Sequence, residues 1–277
     1  MTFVALITGA SSGIGAATAR RLAREPDVRL VLVARRRDRL EELARELGGP
    51  ERASIVAVDL TDPEAPARVL ETVAREHGVL HMLVNNAGAS WRGRFAETGW
   101  ANVERHMKLN FEAPVRLTEA LLPLLRQTAA AQREAADRGS DAGRRVCIVN
   151  VASTAARVSR PNTGAYSAAK FALAGWSDAL WAEEREHGVH VGLVLPGFVQ
   201  TEGFPAAELV GRAPTRWIVS TPDVVAEAIM EAGPGGRAER YVPRYYWIAA
   251  ALRILAPRLI RRATAGGGLS TASHPGD

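Results

Sequence analysis

The sequence predicts an α/β fold in which a doubly wound parallel sheet of about seven strands carries helices on both faces. Two observations lead to this prediction. Short runs rich in β-branched residues alternate with helical stretches, and strand–helix–strand alternation at this rhythm is typical of a parallel sheet. The runs are also apolar throughout rather than at every second position, which suits strands that are covered on both faces.

The predicted elements follow one another in a regular order from the N-terminus. The run "FVALIT" (3–8) predicts the first strand, and "GIGAATARRLARE" predicts the first helix. Later strands are predicted at 29–34, 53–59, 80–86, 144–151 and 189–195, with helices in most of the intervals between them. Right-handed crossovers bring the carboxyl ends of such strands to one edge of the sheet, where ligands bind.

One domain spanning 1–263 is predicted, although 277 residues could form one large α/β domain or two small ones and the length alone does not decide. The hydrophobic content of 47% is ordinary for a soluble protein with a full core. The stretch 128–143, "TAAAQREAADRGSDAG", predicts a helix extension and an exposed loop with no chemistry of its own. The tail 264–277 is expected to be disordered. The start, "MTFVALITGA", has no basic segment before its apolar run, so it predicts a strand rather than a signal peptide.

Composition and charge argue against several other functions. The net charge is +5, with arginines clustered at 35–39 and 258–262, but no aromatic residues are interleaved with them as in a nucleic-acid interface. Most of these arginines are interpreted as solvated helix faces. The single cysteine, Cys147, cannot form an internal disulfide, and the six histidines are scattered without cysteine partners. No metal site is predicted.

A glycine-rich loop follows the first predicted strand and opens the first predicted helix. This loop, "TGASSGIG" (8–15), has glycines at positions 9, 13 and 15. Glycine permits a positive φ and a close approach of the backbone to a diphosphate, and the helix N-terminus directs N–H groups at the anion. A tight turn alone would also explain the glycines, but their position between strand and helix favours a dinucleotide site in a Rossmann fold.

The end of the second strand indicates which dinucleotide is bound. Folds that prefer NAD usually place an acid here to hold the ribose diol. This chain has Ala34 and then Arg35, whose guanidinium can pair with a 2′-phosphate, so NADP(H) is favoured over NAD(H). Arg36 and Arg37 are interpreted as the start of an exposed helix. Asp59, at the end of the third strand, is a candidate acceptor for the adenine amino group.

A tyrosine and a lysine lie four residues apart in "YSAAK". Lysine occurs only at positions 108 and 170, so Lys170 stands out in a chain that otherwise uses arginine. The spacing between Tyr166 and Lys170 puts both side chains on one helix face. A nearby ammonium favours the phenolate and is expected to lower the pKa of Tyr166, which could then act as an acid or a base at a carbonyl oxygen.

Together these segments resemble the short-chain dehydrogenase/reductase family, in its single-domain branch. The matching pieces occur in the family's order: "TGASSGIG", "NNAG" (85–88), "KLNFEAP" with Asn110, "NVASTAA" with Ser153, "YSAAK" and "PGFVQT" (196–201). The resemblance covers 2–202 well and 203–277 loosely. It implies a catalytic tetrad of Asn110, Ser153, Tyr166 and Lys170. Ser153 would hold the substrate oxygen, and Asn110 would bend a helix and bind a water that relays protons to Lys170.

The resemblance also implies a set of positions that hold the cofactor. The turn at 196–201 would cross the nicotinamide and bind its carboxamide. The predicted cofactor residues are Gly9, Ser11, Ser12, Gly13, Ile14, Gly15, Arg35, Asp59, Leu60, Asn86, Ala87, Gly88, Tyr166, Lys170, Pro196, Gly197, Val199 and Thr201.

The function predicted from these features is NADP(H)-dependent interconversion of a carbonyl and an alcohol. A non-catalytic NADP(H)-binding regulator that keeps the fold is the alternative. The loop 198–220 is expected to select the substrate, and Phe198, Phe204 and Trp217 predict an apolar lining for a medium-sized or large small-molecule substrate. A cytoplasmic homodimer or homotetramer without nucleic-acid partners is expected.

The segment 244–262 predicts an apolar helix that is too short to span a membrane, and Arg253 interrupts its apolar run. Three interpretations remain open for it. Packing on the domain or on a partner subunit is favoured. The helix could instead roof the substrate site, or lie on a membrane surface with its arginines against anionic lipid.

Overall fold

A seven-stranded parallel sheet forms the centre of the protein in the computed structural model, which describes residues 2–139, 143–202 and 218–265. Its strand order is β3-β2-β1-β4-β5-β6-β9, and every pairing is parallel. The strands are β1 (Phe3–Thr8), β2 (Val28–Ala34), β3 (Ala53–Ala57), β4 (Met82–Asn85), β5 (Cys147–Val151), β6 (His190–Pro196) and β9 (Glu239–Val242); β7 (Phe198–Val199) and β8 (Val219–Ser220) pair separately. The predicted α/β fold and its number of strands are confirmed.

Helices occupy the intervals between the strands, as predicted. They are α1 (Gly13–Ala23), α2 (Arg37–Glu46), α3 (Ala65–Glu76), α4 (Phe95–Met107), α5 (Ala113–Asp137), α6 (Gly164–Glu184), α7 (Pro222–Ala232), α8 (Tyr246–Leu255) and α9 (Pro257–Ala265). A π-helical turn (Lys108–Glu112) joins α4 to α5, and a 3-10 helix (Thr154–Ala156) follows β5. Residues 128–137 extend α5, in agreement with the helix extension expected there.

Two hydrophobic layers lie on opposite faces of the sheet, and β1 shows how the sequence supplies both. Phe3, Ala5 and Ile7 belong to one apolar cluster with residues of α1, α2 and α7. Val4 and Leu6 belong to the other, with residues of α3, α5 and α6. Because successive side chains of a strand point to opposite faces, a strand covered on both faces must be apolar at every position.

A short buried polar chain ties the centre of the sheet to two helices. The Asn85 side chain donates to Asn150 Oδ1 (2.8 Å) and Thr118 Oγ1 (3.0 Å), and Asn150 donates to Ser177 Oγ (2.8 Å). These contacts join β4 and β5 to α5 and α6. A buried polar group without partners would be costly, so the bonds to Thr118 and Ser177 fix α5 and α6 on the sheet, while the Asn85–Asn150 bond joins β4 to β5.

The strand order reverses at the centre of the sheet, between β1 and β4. The chain runs outward from β1 to β3, returns to β4 beside β1, and continues to β9 on the far edge. The connections after β1 and after β4 therefore leave in opposite directions and open a crevice at the carboxyl ends of these strands. In open α/β sheets such a crevice is where ligands bind.

The C-terminal segment differs from the single helix predicted for 244–262. The structure divides it into α8 and α9, with Ala256 between them in a non-helical conformation. Pro257 explains the break, because proline has no N–H to continue α8 and suits the first turn of a new helix. Neither these helices nor any other in the described ranges is long and apolar enough to cross a membrane. The tail beyond residue 265 lies outside those ranges.

A close approach of α7 to the sheet yields a stability prediction. A methyl group at Gly192 in β6 would overlap the backbone carbonyl of Ala232 at the end of α7. Gly192→Ala is therefore expected to push α7 from the sheet and to lower the free energy of unfolding by about 1–3 kcal/mol. Urea denaturation measures this change.

Gly175→Ala in α6 is the matched control, since no atom lies within 4 Å of the added Cβ there. Alanine is favoured over glycine inside a helix by about 0.5–1 kcal/mol, so this variant is expected to be as stable as the parent or more stable. Equal losses in both variants would contradict a steric origin.

Candidate active site

The glycine loop packs tightly against itself and against the end of β4. Gly9 and Gly13 have φ angles of +67° and +54°. A Cβ at Gly9 would lie 3.0 Å from the Ala87 Cα, and one at Gly15 would overlap the Gly9 carbonyl. The loop can therefore be built only with glycine at these places. Ser12 precedes α1 in an extended conformation, and its side chain makes no capping hydrogen bond.

Thr8 fastens this loop to the segment that follows β4. Its hydroxyl donates to Val84 O (3.1 Å) and accepts hydrogen bonds from the backbone N–H groups of Asn86 (2.9 Å) and Ala87 (3.0 Å). The Asn86 side chain in turn donates to Thr8 O (2.9 Å). The predicted cofactor segments at 9–15 and 86–88 therefore form one unit at the crevice.

The predicted adenosine end contains an exposed ion pair. Arg35 Nη1 lies 3.7 Å from Asp59 Oδ2, and both side chains are exposed. Asp59 Oδ1 accepts hydrogen bonds from the backbone N–H (2.9 Å) and the hydroxyl (2.8 Å) of Thr61. Burial opposes ionisation of Asp59, but the Thr61 hydrogen bonds and Arg35 outweigh it and lower the pKa of the carboxyl. Leu60, the next residue, is buried.

Arg36 has a contact that the sequence interpretation missed. It was expected to begin an exposed helix, yet α2 begins at Arg37 and Arg36 turns toward the glycine loop. Its guanidinium donates to Ser11 Oγ (3.3 Å) and to Glu202 (3.2 Å). Arg37 does behave as expected and faces Glu41 one turn along α2 at 3.8 Å.

Asn110 and Lys170 meet beside Gly88. The break implied at Asn110 is present as the π-helical turn, which directs the side chain inward. Asn110 Nδ2 donates to Ala89 O (3.0 Å) and His106 O (3.3 Å), while the buried Oδ1 has no hydrogen-bond partner in the described chain. A Cβ at Gly88 would lie 2.7 Å from this Oδ1 and 3.4 Å from Lys170 Nζ. Glycine here keeps the space between them open.

The Lys170 side chain is buried and reaches back to the sheet. Its Nζ donates to Val151 O (2.9 Å) at the end of β5 and lies 5.9 Å from the ring centroid of Tyr166. Burial penalises the charged amine and lowers the pKa of Lys170 to about 8. The residue is thus poised to exchange a proton near neutral pH.

Ser153 and Tyr166 lie at the mouth of the same crevice. Ser153 Oγ accepts a hydrogen bond from Ala155 N (3.1 Å) and donates to Pro196 O (3.3 Å), which joins the end of β5 to the end of β6. Burial raises the pKa of Tyr166, and hydrogen bonding to Ser153 and the charge of Arg160 only oppose this effect. The predicted lowering of this pKa by Lys170 is therefore wrong, because burial dominates, and the phenol remains protonated.

The turn at 196–201 closes the crevice from the β6 side. The Tyr246 ring occupies the space where a Cβ of Gly197 would stand, and the Tyr246 hydroxyl donates to Ile218 O (2.9 Å). Val199 is buried and pairs with Ser220. A Cβ at Gly13 would lie 3.1 Å from the Thr201 methyl group, so this turn reaches the glycine loop.

The predicted substrate residues are placed only in part. Phe198 is partly buried, and the guanidinium of Arg160 lies 4.6 Å from its ring centroid. Phe204 and Trp217, with most of the loop 198–220, lie outside the described residues. The lining around Phe198 is therefore cationic as well as apolar, which the sequence interpretation did not anticipate.

His106 is a structural member of the site that sequence reasoning also missed. Its Nε2 accepts from the Trp91 N–H (3.0 Å), and its Nδ1 donates to Asn102 O (2.7 Å), so both nitrogens are used. The ring stands 6.1 Å from that of Tyr166. Burial lowers the pKa of His106, which keeps it neutral. The only sequence signal was its place one helical turn before Asn110.

The chemistry of this crevice suits a nicotinamide dinucleotide. The glycine loop leaves room for a diphosphate at the N-terminus of α1, whose first turn has no acid. Gly88 leaves room beside Lys170, and the Asn110 Oδ1 offers an unused acceptor. A hydroxyl, a protonated phenol and an ammonium together can bind and protonate a developing alkoxide. No group of three or more potential metal ligands occurs among the described residues.

Comparison with known proteins places the chain in one family. A model for short chain dehydrogenases matches residues 3–208. A curated relative, dehydrogenase/reductase SDR family member 7B from Bos taurus, is 33% identical over 205 residues, which cover 72% of this chain and 58% of that protein. The chain therefore spans about three fifths of the length of this relative.

Solved structures agree with the sequence match. A short-chain dehydrogenase from Streptomyces avermitilis is 30% identical, with a TM-score of 0.73 over 98% of this chain and 99% of its own. The L-sorbose reductase from Gluconobacter frateurii, solved with NADPH and L-sorbose, is 28% identical, with a TM-score of 0.72 over 87% of this chain and 94% of its own. The family model covers most of the chain and the fold agrees throughout, so the chain belongs to the short-chain dehydrogenase/reductase family.

Proposed function

We propose that this protein is an NADP(H)-dependent oxidoreductase that interconverts a carbonyl compound and an alcohol by hydride transfer. The observation that carries the proposal is the meeting of Asn110, Ser153, Tyr166 and Lys170 in one crevice beside the glycine loop. Membership of a dehydrogenase/reductase family supports the reaction class. The likeness to a reductase solved with NADPH and a ketose also supports it.

The residues of the site have distinct parts in this reaction. The cofactor, when bound, supplies the hydride to the carbonyl carbon or accepts it from the alcohol. The hydroxyls of Ser153 and Tyr166 bind the substrate oxygen. Because burial keeps Tyr166 protonated, it donates its proton to this oxygen during reduction. In the oxidation direction Tyr166 must first give its proton to solvent through Lys170, and the phenolate then takes the proton of the alcohol. Ser153 strengthens its hydrogen bond as negative charge develops.

Lys170 and Asn110 return the proton to Tyr166. The amine of Lys170, with its pKa lowered to about 8, can lose a proton near neutral pH and regain it from solvent. The unpartnered Oδ1 of Asn110 is a suitable acceptor for a water that links this amine to solvent. We also propose that Lys170 binds the ribose of the nicotinamide half of the cofactor.

The preference for NADP(H) rests on two guanidiniums near the glycine loop. Arg35 follows β2 with its side chain exposed, and Arg36 contacts Ser11. The Arg35–Asp59 pair is exposed and 3.7 Å long, so it adds little stability and leaves Arg35 accessible to a 2′-phosphate. An apolar body of the substrate would lie near Phe198, with Phe204 and Trp217 as further proposed contacts.

Replacing Tyr166 by phenylalanine tests the reaction. Tyr166→Phe removes the donated proton and keeps the ring, so kcat for ketone reduction is expected to fall by about 10²–10⁴ while the Kd for NADPH stays within twofold. Steady-state kinetics on a panel of ketones and aldehydes, with NADPH fluorescence titration, measures both.

Tyr245→Phe, at an exposed tyrosine, is the matched control and should retain its turnover. Full turnover by Tyr166→Phe would overturn the mechanism. Tight NADPH binding by the parent protein without turnover of any substrate would favour the alternative, a non-catalytic NADP(H)-binding regulator.

The cofactor preference has its own test. Arg35→Ala is expected to raise the Kd for NADPH by about 10- to 100-fold and the Kd for NADH by less than twofold, because only NADPH carries the 2′-phosphate. Arg37→Ala, two positions along and facing Glu41, should change neither. Equal weakening of both cofactors by Arg35→Ala would show that this guanidinium does not discriminate between them.

The exposed side of α8 and α9, here called the C-terminal surface, supports a partner proposal. Its apolar members are Trp247, Ile248, Leu252, Ile254, Leu255 and Leu259, with Ile254 and Leu255 78% and 80% exposed. Arg253, Arg258, Arg261 and Arg262 lie among them, and no acid occurs between 240 and 265. Self-association through this surface would bring arginines together, so we propose that it contacts an anionic membrane.

Anionic lipid on the cytoplasmic side would suit a cytoplasmic protein of this kind. The proposed assembly of the protein into a homodimer or homotetramer would then use surfaces other than the C-terminal surface. The charge of the C-terminal surface supports the use of other surfaces for assembly, and measurement of the oligomeric state tests it.

Vesicle co-sedimentation tests the surface. We expect the protein to bind vesicles with about 30% phosphatidylserine more tightly than pure phosphatidylcholine vesicles, by about 10-fold or more, since each arginine near such a surface adds about 1 kcal/mol. Arg261→Glu with Arg262→Glu should abolish the difference, whereas Arg75→Glu with Arg138→Glu, on other exposed helices, should reduce it only slightly.

Mass photometry of these variants and of an Ile254→Glu, Leu255→Glu double variant follows the oligomeric state. Loss of oligomers in the Ile254→Glu, Leu255→Glu variant, with no vesicle binding by the parent, would assign this surface to a second copy of the chain instead.

A further inference from the structure

The loop before α6 carries a guanidinium to the edge of the active site. Arg160 lies six residues before Tyr166, and its Cζ is 4.6 Å from the ring centroid of Phe198. Arg160 and Tyr166 are near enough that the charge of each shifts the pKa of the other. This guanidinium therefore lies close to the phenol that is proposed to bind the substrate oxygen.

The backbone around Arg160 is held firmly. Its N–H donates to Thr163 Oγ1 (3.3 Å), and its carbonyl accepts from both the N–H (3.2 Å) and the hydroxyl (2.9 Å) of Thr163. Asn162, between them, has a φ of +66°, and its carbonyl accepts from Gly93 N (3.1 Å). The turn is thus fixed at the start of α6 and tied to the segment that carries Arg92.

The charge of Arg160 is not balanced by an acid in the described ranges. Burial lowers the pKa of Arg160, and the neighbouring charge of Arg92 lowers it further, while Tyr246 and Tyr166 oppose this shift. No carboxylate contributes to this shift of the Arg160 pKa. Arg157, three residues earlier, shows the contrast, since its guanidinium pairs with Glu239 at 3.1 Å.

A partly buried guanidinium against an aromatic ring suits recognition of an oxyanion. The Cζ of Arg160 lies 4.6 Å from the centroid of the Phe198 ring. The N–H groups of a guanidinium lie in its plane, where they can hold two oxygens of one carboxylate or phosphate.

We propose that Arg160 forms a subsite for an oxyanion of the substrate, a carboxylate or a phosphate, next to the carbonyl that Ser153 and Tyr166 bind. The inference rests on the proposed function and narrows its substrate class. The substrate is then an acidic carbonyl compound or hydroxy acid equivalent with an apolar body along Phe198, rather than a wholly apolar one.

Matched ketones test this subsite through turnover. The probes are 2-oxooctanoate and 4-oxooctanoate, each beside its methyl ester, and 1-phosphooxyoctan-2-one beside 1-hydroxyoctan-2-one. We expect kcat/KM to be about 10- to 100-fold higher for at least one charged member than for its neutral partner, as a charge-assisted hydrogen bond predicts. The pair of ketones that shows this preference identifies the oxyanion.

Substitutions assign this preference to Arg160. Arg160→Gln should bring the ratio of charged to neutral kcat/KM close to one, mainly through KM, and Arg160→Lys should retain part of it. Arg157→Gln changes the net charge equally on the same loop and should keep the parent's ratio. A ratio that is already near one in the parent, or that survives Arg160→Gln, would overturn the subsite.

A binding measurement separates this inference from the reaction itself. Calorimetry with octanoate, octyl phosphate and octan-1-ol is expected to show binding at least 10-fold tighter for one of the acids than for the alcohol, lost in Arg160→Gln and kept in Arg157→Gln. If no ketone is turned over but this pattern holds, the proposed reaction fails and the subsite stands. If neutral ketones are reduced but the acids bind no better than the alcohol, the reaction stands and the subsite fails.

Discussion

The arrangement of the site depends on one constraint, the burial of the Lys170 ammonium. An isolated charge of this kind is costly inside a protein, and the described chain gives it one hydrogen bond, to Val151 O. The residues around it must therefore leave space and polar atoms for further contacts. Gly88 leaves the space. The π-helical turn directs the Asn110 Oδ1 toward this space, and this oxygen has no hydrogen-bond partner in the described chain. The crevice is lined by polar groups whose hydrogen bonding a ligand and water can complete.

The choice of lysine at this one buried position fits the same constraint. Nearly all other basic residues are arginines, which keep their charge in almost any environment and serve here in ion pairs and against aromatic rings. An amine can give up its proton when burial makes the charge costly, and its pKa of about 8 reflects this. The proposed proton relay requires that property, whereas the proposed roles of Arg35 and Arg160 require a permanent charge.

Features that depend on local chemistry were predictable from the sequence, and contacts between distant loops were not. The sheet followed from continuous apolar runs, and the glycine loop from residues whose missing Cβ atoms permit positive φ and close packing. Three side-chain contacts join segments that no sequence periodicity connects: Arg36 with Ser11, Arg160 with Phe198, and His106 with Trp91. The prediction that the pKa of Tyr166 is lowered was wrong for a similar reason. The spacing gives the distance to Lys170, but it does not reveal the burial that raises this pKa.

Because both ring nitrogens of His106 are used, the stability of the segment that carries Trp91 depends on pH. Its Nε2 can accept from Trp91 only while the ring is neutral, and protonation would place two N–H groups against each other. Since burial lowers the pKa of His106 in the folded state, the unfolded chain takes up a proton first as the pH falls below the ordinary value of 6.5. Acidification below that value therefore costs stability at this anchor, which holds the segment that carries Trp91 and Arg92.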